Sequence, residues 1–175
     1  MPILALDLGT VTGWAVEGAS GYQDLSPQSY YRCDQCGTTK NAGRQGTKCD
    51  CGGVWERTAQ PWGTRFSVFH TLLTQLIKQY QITAIVYEEV LFNPKQGYLA
   101  PQMWGGFFAV MHLVATDHNI FYDGVPVKTL KKFWTGSGNS DKDVMVTTAQ
   151  KRGYNIIDHN EADAIALLYY ATESR

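Results

Sequence analysis

Three carboxylates sit where ordinary surface acids do not. The apolar run Ile3-Leu4-Ala5-Leu6 reads as a buried strand, yet it ends in Asp7 and turns at once through Gly9. A second β-branched, apolar run, "ITAIVYEEV" (82–90), ends in Glu88 and Glu89. Asp163 lies in "NEADAIALL", among Ala162, Ile165, Ala166, Leu168 and Tyr169. A charge at the end of a buried strand costs several kcal/mol, roughly, unless a lysine, an arginine or a metal ion neutralises it. If the first and central strands are neighbours and the last helix packs on them, Asp7, Glu88 and Asp163 meet at one edge of a sheet. Such a cluster repels itself unless a divalent cation lies between its members. Carboxylate oxygens with retained waters suit Mg2+, and two such ions serve phosphodiester hydrolysis.

The second constellation is sulfur. Cys33, Cys36, Cys49 and Cys51 form C-x2-C, twelve residues, then C-x-C. Two close pairs joined by a polar, Gly-rich loop predict four thiolates around one tetrahedral Zn2+. Two disulfides or free thiols are the alternatives, but pairs two and three residues apart are poorly spaced for disulfides. Four thiolates leave no open position, so a zinc here is structural.

The elements that must position these residues follow from periodicity. Ile3–Asp7, Thr12–Val16 and Ser20–Leu25 predict a three-stranded antiparallel meander. Residues 26–58 are polar, hold the cysteines and read as an inserted zinc-ribbon-like module; residues 1–25 and 59–175 make the main domain. From Arg65 to Gln79, Phe66, Phe69, Leu72, Leu73, Leu76 and Ile77 recur at helical steps. The strand at Ile82–Val90 is followed by a helix over Gln102–Asp117 and a strand over Asn119–Val127. A short basic helix, a Gly-Ser loop and a helix capped by Ser140 fill Val127–Gly153. The closing helix runs from Asp158 to Ser174, with Asp158 and Glu161 at capping-box spacing. This order predicts an α/β fold, a mixed sheet with helices on its faces.

The bulk numbers agree with such a domain. The chain has 175 residues, 44% hydrophobic and 18% charged, enough for a real core. The net charge of −1 does not advertise nucleic-acid binding, so any such reading rests on local patches. The opening apolar run is too short for a signal peptide and lacks a basic flank, and no stretch is long and apolar enough to cross a membrane. A cytoplasmic location is expected, with thiols kept reduced.

The motifs "LALDLGTVTGWAV", "PWGTRFSVF", "IVYEEVLF", "GSGNSDKDVM" and "NEADAIALL" occur in an order that resembles the RuvC-type Holliday-junction resolvases of the RNase H-like superfamily, most closely the phage-borne versions. The resemblance covers nearly the whole chain outside the cysteine insert. It implies a five-stranded mixed sheet flanked by helices, and Mg2+-dependent nicking of branched DNA, most of all the four-way junction, by a homodimer. It implies that Asp7, Glu88 and Asp163 are metal ligands and that Lys142 stands near the scissile phosphate. Lys128 or Lys132 would supply a further phosphate contact. Leu91 and Phe92 would touch unstacked bases.

One position departs from the family. An acid usually stands three residues before the last aspartate; here it is Asn160. His159 and Asn160 are i−4 and i−3 from Asp163, so both can share its helix face, whereas Asp158 and Glu161 cannot. Either Asn160 ligates through its carbonyl, or His159 ligates, or three acids hold the ions, with Mn2+ tolerating nitrogen better than Mg2+. Lysine and arginine outnumber acids over Val127–Gly153, and the insert adds Arg32, Lys40, Arg44, Lys48 and Arg57, so a positive stripe for DNA is compatible with the net charge. Other readings share part of the pattern: a general branched or flap DNA nuclease of the same superfamily, a non-catalytic zinc-bearing DNA-binding module, and a nucleotide-binding ATPase or sugar kinase, whose phosphate loop also reads D-x-G-T. The last needs two such domains, for which this chain is too short.

Overall fold

The computed structural model describes residues 1–26, 28–41, 43–90 and 97–174. Two compact units emerge: Met1–Leu25 with Val68–Arg175, and Ser26–Ser67. The sequence reading ends the insert at residue 58; the compact unit extends further, into the first turns of the following helix.

In the larger unit, β1 (Ile3–Asp7), β2 (Val11–Val16) and β3 (Ala19–Asp24) form the predicted antiparallel meander. The strands β7 (Ala84–Glu89) and β8 (Phe121–Pro126) join it in parallel, giving the order β3-β2-β1-β7-β8. Parallel neighbours need crossovers, and helices supply them. Helix α1 (Trp62–Tyr80) leads into β7, and α2 (Leu99–Asp117) leads from β7 to β8. Pro101 falls in the first turn of α2, where a missing N–H breaks no bond. Then come α3 (Val127–Thr135), α4 (Lys142–Lys151) and α5 (His159–Glu173).

The strand period of two divides the core into two layers. Ile3 and Ala5 of β1 and Ala84 and Val86 of β7 pack with Leu130, Trp134, Met145, Ala162 and Ile165 from α3, α4 and α5. On α1, Phe69, Leu73, Leu76 and Ile77 are buried at helical steps, and Phe69 meets Phe107 of α2 edge to face at 5.3 Å. Asp7 continues the Ile3–Ala5 parity and Glu88 continues the Ala84–Val86 parity, so both carboxylates lie on the face that α5 covers.

The smaller unit contains a three-stranded sheet in the order β5-β4-β6, from Thr39–Lys40, Ser29–Cys33 and Trp55–Ala59. Among the described residues, no helix is long and apolar enough to cross a membrane.

Candidate active site

Asp7 and Glu88 are adjacent because β1 and β7 are parallel in register. Leu6 pairs with Tyr87, so the next residue of each strand is an acid at the same sheet edge. Both are only 9% exposed, while Glu89, pointing the other way, is exposed. Asp163 comes from the second turn of α5. Its Oδ1 is buried and has no hydrogen-bond partner. Burial and mutual repulsion govern the trio. Burial first, then the charges of Glu88 and Asp163, hold Asp7 well above the usual carboxylate range. Glu88 is pushed up to about 7 by burial and by Asp163. Asp163 is raised to about 6, burial again leading. Three acids that resist ionisation together, one with an orphaned buried oxygen, form a set that a divalent cation would satisfy.

The first turn of α5 approaches the sheet at a glycine. Gly13 is the register partner of Asp7 on β2, and a Cβ there would collide with the Asn160 carbonyl oxygen. Asp158 caps α5: its Oδ1 accepts from the backbone N–H of Asn160 at 2.8 Å and of Glu161 at 3.2 Å. The capping box is not reciprocal, because the Glu161 carboxylate accepts instead from Ser20 Oγ at 2.7 Å and ties the helix to β3.

Of the two residues expected to share the Asp163 face, each has a neighbour of its own. The side-chain amide of Asn160 donates to Asp158 Oδ1 at 3.0 Å. His159 Nε2 lies 2.6 Å from Lys142 Nζ. Asp158, five residues before Asp163, was expected to face elsewhere; as an N-cap it lies close enough that its charge raises both Asp7 and Asp163. A cap residue leaves the helical spiral, so helical phase does not describe it.

Two lysines offset these acids. Lys142, the first residue of α4, lowers the pKa of all three acids. Lys131 lowers those of Glu88 and Asp163. The loop between α3 and α4 fixes both. Lys131 Nζ donates to the Ser140 carbonyl at 2.7 Å, and Thr135 and Ser140 share a hydroxyl hydrogen bond of 2.6 Å. The N-cap of α4 is Asp141, whose Oδ1 accepts from Val144 N–H, and not the expected Ser140, which is held in the loop. Trp134 Nε1 donates to the Met145 carbonyl and binds the two helices together.

Lys128 and Lys132 lie apart from the acids, exposed beside Thr129, Phe133 and Tyr170 in an open surface hollow. The sequence holds the signal that separates them from Lys131. At about 100° per residue, Lys131 borders the inward face of Val127, Leu130 and Trp134, and Lys132 lies opposite it. Leu91 and Phe92 lie outside the described residues.

The cysteines form a second, separate cluster in the smaller unit. Their four Sγ atoms all lie within 4.8 Å of one another and can hold a metal ion; among the described residues they are the one set of His, Cys, Asp or Glu ligand atoms that close. Cys33 and Cys51 are 3.4 Å apart and Cys36 and Cys49 3.8 Å, all four as free thiols. Hydrogen bonds from the side chain and backbone of Thr38 favour the Cys36 thiolate and bring its pKa down to about 6. Asp34 Oδ1 accepts from the Val54 N–H at 2.9 Å, closing the knuckle.

No protein-family model matches the chain. Over 120 residues it is 33% identical to the crossover junction endodeoxyribonuclease RuvC of Brachyspira hyodysenteriae, a match covering 66% of this chain and 72% of that protein. Among solved structures it superposes on Thermus thermophilus RuvC in complex with a Holliday junction substrate, with a TM-score of 0.66 at 15% identity, over 100% of this chain and 95% of that one. It also superposes on the yeast mitochondrial Holliday junction resolvase, with a TM-score of 0.53 at 8% identity, over 95% and 75% of the two chains. The five-stranded mixed sheet with flanking helices is therefore a RuvC-type fold, as the sequence motifs imply.

Proposed function

The chain belongs to the RuvC family of crossover junction endodeoxyribonucleases, and from that premise we propose that it nicks branched DNA, the four-way junction foremost, as a homodimer. The observation that carries the catalytic reading is the orphaned, buried Oδ1 of Asp163 beside two further buried acids, Asp7 and Glu88. These three would hold Mg2+ or Mn2+, with Asn160 or His159 as the remaining ligand candidates. Divalent ions held there supply the activation of an attacking water and the neutralisation of the leaving oxygen.

The chain's own groups do the rest. Lys142 and Lys131 bring positive charge to the acid edge, where a bridging phosphodiester would add negative charge. Hydrolysis joins the water oxygen to phosphorus, breaks one P–O ester bond and leaves a phosphate monoester and a hydroxyl. The ligands must be deprotonated to bind ions, so cation binding releases the protons that burial retains. Lys128 and Lys132 are assigned to DNA backbone contact away from the reacting phosphate, and Leu91 and Phe92 to contact with unstacked bases.

The nuclease role is assigned to the main domain, expected over residues 1–25 and 59–175, and the zinc-binding role to the insert, expected over 26–58, which lies within the compact unit Ser26–Ser67. A tetrahedral Zn2+ with bonds of about 2.3 Å places its sulfurs about 3.8 Å apart, close to the spacings of the two cysteine pairs here. The test is incubation of the purified protein with a labelled four-way junction and Mg2+ or Mn2+, beside an Asp7→Asn variant. Paired symmetric nicks, absent in the variant, are expected. Equal cutting of any branch would make it a general debranching nuclease; no cutting, with junction binding retained, would make it a binding module.

A further inference from the structure

The smaller unit segregates its charge. It carries six lysines and arginines, Arg32, Lys40, Arg44, Lys48, Arg57 and Arg65, against three acids, Asp34, Asp50 and Glu56. Its sheet register sorts them further. Tyr31, on the central strand, pairs with Lys40 on one side and Arg57 on the other. Directly opposed residues of antiparallel strands share a face, so cation, aromatic and cation form one row across the sheet. Two contacts confirm that face. Lys40 Nζ lies 3.9 Å from the centre of the Trp55 ring, and Arg57 Nε donates to Ser29 Oγ at 3.0 Å. The following loop comes down on this face at Gly43, against Lys40 and the edge of the Tyr31 ring, so these two are half-buried, while Arg57 and Arg44 beside them are exposed.

The acids are elsewhere. Asp34 accepts the Val54 N–H, Asp50 lies between Cys49 and Cys51, and Glu56 is opposite Arg32 on the other face. The row Lys40–Tyr31–Arg57 therefore has no acid opposite it in the ladder. Neighbouring strands are about 4.8 Å apart, so the outer strands of the row are about 10 Å apart. A phosphate backbone is a polyanion that such a row complements, with the exposed Arg57 and Arg44 as its outermost charges.

We propose that this face, Lys40, Tyr31 and Arg57 with Arg44 beside them, is a DNA-backbone contact surface that adds salt-dependent affinity to the chain. The proposal rests on the nuclease reading above. It assigns the cysteine-bearing unit a binding role besides its own stability.

The test measures the dissociation constant for a labelled four-way junction against NaCl concentration in an uncut Asp7→Asn background. A Lys40→Gln/Arg57→Gln variant is expected to lower the slope of log Kd against log salt by about 2 and to weaken binding about tenfold near 0.1 M salt. Arg32, grouped in the sequence with the insert's other cations, lies on the opposite face across from Glu56 and outside this row, so Arg32→Gln is expected to leave the slope unchanged, and zinc content is expected to be equal in all. The proposal fails if the double variant keeps the parental slope. It also fails if the variant loses zinc, since the cations would then balance thiolate charge. If the parent does not bind junctions, the nuclease reading falls with it; if the unmutated chain nicks junctions and only the double variant's slope is unmoved, this surface alone is refuted.

Discussion

Gly13 lies opposite Asp7 across the β1–β2 ladder, and its missing Cβ is the space into which the first turn of α5 descends. The catalytic reading therefore depends on a residue with no chemistry of its own. Gly13→Ala would drive a methyl group into the Asn160 backbone, which has no rotamer with which to yield. A loss of about 2 kcal/mol or more is expected in urea denaturation, together with weaker divalent-ion binding. Gly105→Ala is the contrast. Gly105 is in α2 with nothing within 4 Å of an added Cβ, so alanine there is expected to stabilise by about 0.5–1 kcal/mol.

The raised acids predict a pH dependence of definite sign. The folded chain holds protons on Asp7, Glu88 and Asp163 at pH values where the unfolded chain has released them. Without added divalent ions, the stability that these three groups contribute is fully present below about pH 4. It falls as pH rises through about 6 and 7, where Asp163 and Glu88 ionise. Thermal melts at pH 5 and pH 8 should separate accordingly, and Asp163→Asn should reduce the separation. Mg2+ or Mn2+ should restore stability most at pH 8, and nicking should rise over the same interval.

The lysines of α3 and the first residue of α4 divide by position. Lys131→Gln and Lys142→Gln are each expected to slow single-turnover nicking about a hundredfold, in the range seen when one charge-stabilising donor is removed from an active site, with small changes in junction affinity. Lys128→Gln and Lys132→Gln are expected to do the reverse, weakening binding and lowering its salt dependence while the bound junction is cut at a near-normal rate. Equal rate losses from Lys131→Gln and Lys132→Gln would contradict the assignment.

Metal removal tests the zinc assignment of the cysteine cluster by itself. Cys33 is 1% exposed, and small metal-binding modules draw much of their local stability from the ion they bind. Cys33→Ser or a strong chelator is expected to abolish zinc in metal analysis and to open residues 26–67 to protease. Retained protection after zinc loss would mean that the strands of the module hold without the ion.

Local patterns were legible along the chain wherever one window of residues contains the cause. The meander, the helix over Phe69, Leu73, Leu76 and Ile77 and the C-x2-C…C-x-C spacing are all of this kind. The strand parity that sends Asp7 and Glu88 to the core side is another, because side chains alternate whatever lies opposite. Family motifs added the five-stranded topology. Tertiary structure decided the rest. The parallel register of β1 against β7 makes Asp7 and Glu88 neighbours across eighty residues. The cap of α5 brings Asp158 toward the acids out of helical phase, and the packing of α3 turns the helical phase that separates Lys131 from Lys128 and Lys132 into nearness to the acids. Ser140 was expected to cap α4, but the loop that holds Lys131 uses it, and Asp141 caps instead. Glu161 left the capping box for Ser20 on a distant strand. In each of these the winning partner comes from another element, and a hydrogen bond or charge contact between elements exists only once the ladder register and helix packing have closed the distance.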